Sequence, residues 1–102
     1  MTNIEHREKV IYEGQPSYII NSKEHAVGRV AITEESVIFH SYHVTMNQAS
    51  LEIRREDIDE VEKLKTIRLI PNKLKITLKN GEKYTFMTWD QEKMYMLLMD
   101  SR

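Results

Sequence analysis

The stretch from Gly28 to Tyr42, GRVAITEESVIFHSY, decides the fold of this chain. Val30 and Ile32 stand two apart in its first half, and Val37 and Phe39 repeat that spacing in its second half. Successive side chains of a β-strand point to opposite faces, so this period of two predicts two strands that each bury one face. The rest of the chain is interpreted as further strands added to this pair.

The two glutamates at positions 34 and 35 are expected to connect these strands. A tight two-residue hairpin turn needs positive φ angles, which neither glutamate adopts easily. We therefore expect a four-residue turn that also involves Thr33 and Ser36.

A second hairpin is predicted near the C-terminus. Its loop length follows from the requirement that the apolar residues of both strands lie on the same face of the sheet. A two-residue turn there would place the apolar sets of the two strands on opposite faces of the sheet. A three-residue loop over residues 79–81 instead sets Leu74 opposite Phe86 and Ile76 opposite Tyr84. This loop is a type I turn followed by a bulge, and it requires a left-handed residue at position 81, which is glycine.

The turn at Pro71 must also keep the apolar side chains of its two strands on one face of the sheet. A tight primed turn is excluded there, because proline cannot supply the positive φ that such a turn needs. A four-residue loop over residues 70–73 then predicts that Leu69 pairs with Leu74 and Ile67 with Ile76. Between residues 55 and 62, Ile58 and Val61 are three apart, so we expect one helical turn that directs both into the core.

These signals predict a mainly β protein with one C-terminal α-helix. The expected architecture is a seven-stranded antiparallel, partly open barrel that is capped by the helix. Residues 1–16 are expected to be a lead-in segment that packs loosely, and Asp90 is expected to cap the helix. The predicted strands lie near 17–21, 28–33, 36–42, 50–54, 63–70, 73–79 and 82–88, and the predicted helix spans 90–101.

Composition limits the class of protein. The length of 102 residues suits one domain, residues 1–102. The chain has no cysteine, which excludes disulfides, thiolate zinc sites and cysteine nucleophiles. Fifteen basic and sixteen acidic residues give a net charge of -1, which argues against a nucleic-acid partner. No signal peptide and no apolar run of the ~20 residues that a spanning helix needs is visible, so we expect a cytoplasmic protein.

Several core and turn positions occur in an order and spacing that resemble a known superfold. They are Gly28–Thr33, Val37–Phe39, Leu51–Ile53, Asp57-Ile58, Val61, Leu74–Ile76, Gly81 and Tyr84–Phe86. The sequence resembles the pleckstrin-homology (PH) superfold, and more closely its GRAM branch and the bacterial PH-like domains. The resemblance implies a PH-like barrel whose members bind phosphoinositides, proteins or peptides, or assemble with other domains.

The resemblance also implies a candidate anion pocket at one end of the barrel. Lipid-binding members of the superfold carry a Lys…(Lys/Arg)-x-Arg pattern across the first strand pair. Lys23 and Arg29 match the ends of that pattern, whereas position 27 is valine where a basic residue is expected. The candidate ligand-binding residues at this end are Lys23, His25, Arg29, His43 and Lys79. The alternative is that these residues are ordinary solvated loop charges.

A second candidate is a basic surface on the outer face of the last three predicted strands. This face would attract an anionic membrane or an acidic partner. The alternative is an ordinary solvated sheet face, on which lysine discourages edge pairing. The residues predicted to share this face are Arg68, Lys73, Lys75 and Lys83.

The third candidate is the C-terminal helix, where six successive apolar residues from Met94 to Met99 follow Trp89. Six successive residues of a helix cannot all face one core. Either part of the helix is exposed as a protein interface, formed by Tyr95, Met96 and Met99, or the packing face is unusually broad. The interface would serve a protein partner or a second copy of the chain in a homodimer.

No catalytic constellation and no metal-binding spacing is present in the sequence. His40 and His43 would point to opposite faces of a strand, so they cannot hold one metal together. We expect no cofactor, no metal and no enzymatic activity. The sequence favours a non-catalytic binding or assembly module that acts through protein contacts; the alternative is a peripheral module that binds anionic lipid or phosphoinositide head groups.

Overall fold

The computed structural model describes residues 9–21, 23–42, 49–64 and 72–100. Within these ranges the chain forms strands, one short 3-10 turn and a final helix. In chain order they are β1 (Val10–Gly14), β2 (Ser17–Asn21), β3 (Glu24–Thr33), β4 (Ser36–Ser41), β5 (Ser50–Arg54), the 3-10 turn (Arg55–Asp57), β6 (Ile58–Leu64), β7 (Asn72–Leu78), β8 (Lys83–Thr88) and α1 (Gln91–Met99). The predicted mainly β architecture with one C-terminal helix is confirmed.

All described strand pairs are antiparallel, and the sheet order is β5-β4-β3-β2-β8-β7-β6. β1 and β2 follow each other along the same side of β3, because β1 pairs with its C-terminal half and β2 with its N-terminal half. β3 therefore belongs to both halves of a curled half-barrel. The two halves meet at Gly28, where a Cβ atom would lie only 2.2 Å from the His40 carbonyl oxygen.

The predicted faces of the central hairpin are confirmed. Val30 pairs with Phe39 and Ile32 with Val37, and all four side chains are buried. The turn between β3 and β4 is held by Thr33, whose hydroxyl oxygen accepts hydrogen bonds from the backbone N–H groups of residues 35 and 36 at 3.1 and 2.8 Å. This bonding matches the expected four-residue turn.

The predicted residue pairing of the last hairpin is also confirmed. Leu74 pairs with Phe86 and Ile76 with Tyr84, and Gly81 has a φ angle of +95°. The core beneath this hairpin is aromatic. Phe86 lies with its ring centroid 5.6 Å from Phe39 and 5.5 Å from Tyr18, in tilted arrangements that aromatic pairs favour.

The expectation of a loosely packed lead-in was wrong for residues 10–14, which form β1. Tyr12 pairs with Ile32 and is only 9% exposed, so this segment contributes to the core. The sequence signal was weak because the strand is short. Its register also shifts between Val10 and Tyr12, which interrupts the alternation.

The helical turn expected around Ile58 and Val61 was also wrong, because both residues lie in β6. The register of β6 against β7 shifts between Ile58 and Glu60. A bulge inserts one extra residue, so two residues three apart point to the same face of a strand. Both side chains are buried in the way that a helical turn would have buried them.

β6 (Ile58–Leu64) takes the place beside β7 that was predicted for the strand over residues 63–70. Ile76 pairs with Val61 and Leu74 with Lys63, so the expected pairing with Ile67 and Leu69 was wrong. Those two residues, and most of the predicted strand over 63–70, lie outside the described residues.

α1 packs against β6 and β7, and it buries Gln91, Met94 and Leu98. The carboxylate of Asp90 makes no capping hydrogen bond to the helix, contrary to expectation. It accepts a 2.8 Å hydrogen bond from the Tyr12 hydroxyl instead, which ties β1 to the start of α1.

Arg55 fixes the other end of α1. Its guanidinium donates to the Thr33 carbonyl oxygen at 2.7 Å and to the Leu97 carbonyl oxygen at 2.6 Å, and the residue is 8% exposed. Carbonyl groups in the last turn of a helix have no partner within the helix. Arg55 therefore satisfies one of these groups and joins α1 to the end of β3.

Candidate functional site

The turns that carry Lys23 and Lys79 lie at the same end of the half-barrel. β2 and β8 are antiparallel, with Ser17 beside Met87 and Ile19 beside Thr85. The end of β2 therefore lies beside the start of β8, and the turns attached to them face the same way. Both lysines are exposed, as the proposed anion pocket requires.

Acidic and amide side chains share this end with the lysines. The Asn21 side-chain oxygen accepts hydrogen bonds from the backbone N–H groups of Lys23 and Glu24, and its amide donates to the Glu24 carboxylate at 2.8 Å. Glu82 accepts from Asn80 and from the Tyr84 hydroxyl. The two turns therefore carry both positively and negatively charged side chains.

His25 and Arg29 lie on the outer face of β3, and both are exposed. Arg29 pairs with His40 of β4, beyond the corner at Gly28. Six residues of extended chain separate Arg29 from Lys23, which corresponds to roughly 20 Å at the rise of a strand. The structure therefore brings Lys23 and Lys79 to one end and leaves Arg29 on a different surface; His43 lies outside the described residues.

The outer face of β6, β7 and β8 combines basic and acidic side chains. Lys75 forms an ion pair with Glu62 of β6 at 3.3 Å, and Glu60 stands opposite Thr77. Lys73 and Lys83 lie on the same face as Lys75 by register. The two glutamates were not predicted on this face, because residues 55–62 were assigned to a connection. Arg68 lies outside the described residues.

Among the large apolar side chains of the described residues, the two with the highest exposed fraction lie on α1 or just before it. Met96 is 66% exposed, and Trp89, just before the helix, is 77% exposed. Tyr95 and Met99 are half-buried and pack against the core, so of the three residues predicted at an interface Met96 is the most exposed. Glu92 and Lys93 are exposed between Trp89 and Met96, and we call these four residues the α1 outer face.

The charged residues of the α1 outer face also have contacts within the chain. Glu92 accepts a 2.8 Å hydrogen bond from the Lys63 ammonium, and this bond raises the pKa of Lys63 above its usual value. The Lys93 ammonium lies 5.9 Å from the centroid of the Tyr12 ring. These contacts hold Glu92 towards β6 and Lys93 towards β1, on the two flanks of the helix.

Tyr12 carries a strongly perturbed hydroxyl at the start of the helix. Burial, together with the hydrogen bond to the Asp90 carboxylate, raises the pKa of Tyr12 to about 12. Both effects disfavour ionisation, because the phenolate would be poorly solvated and would place two negative charges together. The hydroxyl therefore stays protonated at neutral pH and acts as a hydrogen-bond donor that joins two elements of the fold.

An open groove of about 660 Å³ lies between the β3–β4 turn, the 3-10 turn and the end of α1. Both arginines of this groove are engaged: Arg54 pairs with Glu56 at 3.1 Å, and Arg55 binds two backbone carbonyls. The groove is lined by Ile11, Glu34, Glu35, Arg54, Arg55, Glu56 and Asp100.

The described ranges contain no group of three or more histidine and carboxylate side chains that could hold a metal ion. In the same part of the chain, no helix has the length and apolar character that a membrane span requires. Two of the predicted surfaces are exposed in the described residues, the end formed by the Lys23 and Lys79 turns and the α1 outer face.

A curled antiparallel half-barrel closed by a C-terminal helix is the fold of PH-like domains. The model of the GRAM domain family matches residues 3–99, and the chain belongs to this family. GRAM and PH-like domains are typically non-catalytic binding modules, and lipid binding is among their roles. No curated protein matches the sequence.

Solved structures with the same fold are distant in sequence. The chain is similar to the C-terminal domain of an unknown protein from Leishmania infantum, with a TM-score of 0.78 and 16% identity over 94% of this chain and 85% of that chain. It is similar to the Vps36 N-terminal PH domain, with a TM-score of 0.70 and 16% identity over 96% and 84% of the two chains. The DH/PH fragment of PDZRHOGEF, crystallised in complex with human RhoA, gives a TM-score of 0.71 and 14% identity; the match covers 93% of this chain and 29% of that one.

Proposed function

We propose that this GRAM domain is a non-catalytic module that binds a protein partner through the α1 outer face. The observation that carries the proposal is the exposure of Trp89 and Met96, at 77% and 66%. Tryptophan is highly buried on average in folded proteins, whereas both residue types are enriched at protein interfaces. A fragment of another protein that contains a similar PH fold was crystallised in complex with RhoA, which supports a protein-binding use of this fold.

Charge supports a protein partner over an anionic membrane. Lys75 is paired with Glu62, and Glu24 and Glu82 lie in or beside the turns that carry Lys23 and Lys79. A polybasic surface that attracts anionic lipid gains about 1 kcal/mol for each basic residue near the membrane, and interspersed carboxylates offset that gain. The α1 outer face has a balanced charge and a large apolar area, which suits a protein surface.

The test is a comparison of two variants in affinity capture from the native cell. Met96→Glu places a charge on the α1 outer face, and we expect it to abolish recovery of the partner. Lys79→Glu is the matched control, because it changes an exposed residue at the opposite candidate site. Loss of the partner with Lys79→Glu, and not with Met96→Glu, would refute the proposed surface.

The second candidate is binding of anionic lipid at the end formed by the Lys23 and Lys79 turns. The specific observation in its favour is that the strand register brings these two turns together. Co-sedimentation with vesicles that contain phosphatidylserine or phosphoinositide tests it. Binding that is lost in a Lys23→Glu, Lys79→Glu double variant would favour this candidate, and failure to sediment would reject it.

A further inference from the structure

We propose that Met96 is a modification site, at which a hydroperoxide converts the thioether to a sulfoxide while the fold stays intact. The sulfoxide then weakens binding at the α1 outer face. This second step rests on the proposed function, because it regulates the same surface, whereas the modification itself depends on no partner.

Met96 is the one residue of the apolar run over positions 94–99 that stands apart from the core. The other five residues of the run are buried in the core or pack against it: Met94, Tyr95, Leu97, Leu98 and Met99. Met96 does not belong to this cluster and is 66% exposed, whereas Met94, two positions earlier, is fully buried. The sulfur of Met96 is therefore open to a solvent-borne oxidant, and that of Met94 is not.

The chemistry requires direct contact between the sulfur and the oxidant. The sulfur lone pair attacks one oxygen of hydrogen peroxide, so that an S–O bond forms and the O–O bond breaks. The second oxygen leaves as hydroxide and takes up the proton of the first, which gives water. The sulfur is oxidised by two electrons and the peroxide is reduced by two. Two methionine sulfoxide reductases, one for each epimer of the sulfoxide, reverse the change.

The contacts that hold α1 on the sheet do not involve Met96. At the start of the helix, the Gln91 side-chain amide donates to backbone carbonyls of β6 and β7 at 3.2 and 2.8 Å. Near its end, Arg55 donates to the Leu97 carbonyl oxygen. An oxygen added to an exposed side chain leaves these contacts and the core in place. We therefore expect oxidation of Met96 to shift Tm by less than about 4 °C, as surface changes usually do.

The sulfoxide does change the chemistry of the α1 outer face. Met96 and Trp89 supply its exposed apolar area, and the thioether of methionine is flexible and apolar. A sulfoxide is polar, and its oxygen is a hydrogen-bond acceptor that must give up water when a partner covers it. An acceptor buried without a donor is costly, so we expect the affinity for the partner to fall at least about tenfold.

Timed exposure of the purified chain to hydrogen peroxide measures the selectivity of oxidation. Tryptic digestion releases residues 94–102 as one peptide, which holds Met94, Met96 and Met99. Fragment ions report the sulfoxide at each position in the same sample, and the buried Met94 is the matched internal control. We expect Met96 to react at least about tenfold faster than Met94 in the folded chain, and at the same rate in denaturant. Circular dichroism melting of the oxidised chain checks that the fold persists.

Affinity capture before and after oxidation of the purified chain tests the effect on binding. Met96→Leu keeps an apolar side chain that peroxide does not oxidise, and Met87→Leu, which removes a half-buried methionine of β8, is the matched control. Each variant is compared with itself, so a change in its starting affinity does not enter the result. Peroxide should lower recovery of the partner at least about tenfold for the natural chain and for Met87→Leu, and should not lower it for Met96→Leu. Treatment of the oxidised natural chain with both reductases should restore recovery.

The outcomes separate the modification, its effect on binding and the proposed function. Equal rates of oxidation at Met94 and Met96 in the folded chain would reject the modification site. Undiminished capture by a chain oxidised at Met96 would reject the regulation, while loss of capture with Met96→Glu would still support the proposed function. Capture that is insensitive to Met96→Glu would reject the proposed function and the regulation together, and selective oxidation of Met96 would still support the modification site.

Discussion

Replacing Arg55 is expected to loosen α1 from the sheet. Arg55 is 8% exposed, and its guanidinium donates to the carbonyl oxygens of Thr33 and Leu97 at 2.7 and 2.6 Å. These two carbonyls belong to the end of β3 and the last turn of α1. Arg55→Ala leaves both without the side chain that now satisfies them.

The expected loss of stability in Arg55→Ala follows from the two hydrogen bonds that the charged guanidinium donates. A hydrogen bond to a charged group contributes about 1.5–3 kcal/mol, so two such bonds set an upper range of about 3–6 kcal/mol. Water can reach part of the space that truncation opens, so we expect a loss of about 3 kcal/mol. For a domain of this size, 1 kcal/mol corresponds to about 4–8 °C in Tm, so the expected fall is at least about 12 °C. Arg55→Lys retains one donor group and is expected to lose about half as much.

Chemical denaturation and hydrogen exchange measure the effect. The neighbouring Arg54 is a matched control, because its 3.1 Å ion pair with Glu56 is exposed and such pairs contribute about 0–1 kcal/mol. Hydrogen exchange should accelerate in α1 of the Arg55→Ala variant before it accelerates in β3 and β4. The reasoning would be refuted if Arg55→Ala cost less than about 1 kcal/mol, or if Arg54→Ala cost as much.

Three further outcomes are expected. Gly28→Ala should destabilise the fold by about 2–3 kcal/mol in urea denaturation, because its Cβ would lie 2.2 Å from the His40 carbonyl oxygen, and a loss under about 0.5 kcal/mol would contradict the close approach. Phe86→Ala should cost about 3–5 kcal/mol, since this ring is fully buried in the aromatic core, and a near-neutral melting shift would show that the core differs. Tyr12→Phe should reduce the loss of stability as pH rises from 10 towards 12. The raised pKa of Tyr12 means that the folded state favours the protonated hydroxyl. The contribution of this hydroxyl to stability is therefore present below pH 10 and is lost as the pH rises past about 12, the pKa of Tyr12 in the folded state. Equal pH profiles of stability for the variant and the natural chain would contradict this.

Local patterns were sufficient to predict much of the sheet. The pairing of Leu74 with Phe86 followed from alternation and from the left-handed conformation that Gly81 supplies, both of which depend on a few neighbouring residues. The β3–β4 turn followed in the same way from its glutamates and from Thr33. Such features are set by short stretches of chain, so the sequence alone carries them.

Elements that depend on distant contacts were not predicted. Ile58 and Val61 have helical spacing, and only the bulge between β6 and β7 explains why they are in a strand. Tyr12 lies in a segment without clear periodicity, and its place in the core is determined by Ile32 and Asp90. No pattern near position 55 shows that Arg55 is buried while Arg54 is exposed.

The candidate site was predicted in outline only. The apolar excess of the C-terminal helix pointed to an interface, and Met96 is exposed as that hypothesis requires. The half-burial of Tyr95 and Met99 could not be predicted, because it depends on the width of the sheet under the helix. The glutamates of β6 that accompany Lys75 were missed for the same reason that β6 was missed.

The hydrogen bond from Tyr12 to Asp90 joins residues that are 78 positions apart and brings the first described strand to the beginning of the last helix. Opening of β1 should therefore occur together with loosening of the helix start. A molecule that binds across Trp89 and Lys93 would, through this linkage, slow hydrogen exchange in β1, a strand that lies outside the binding surface itself.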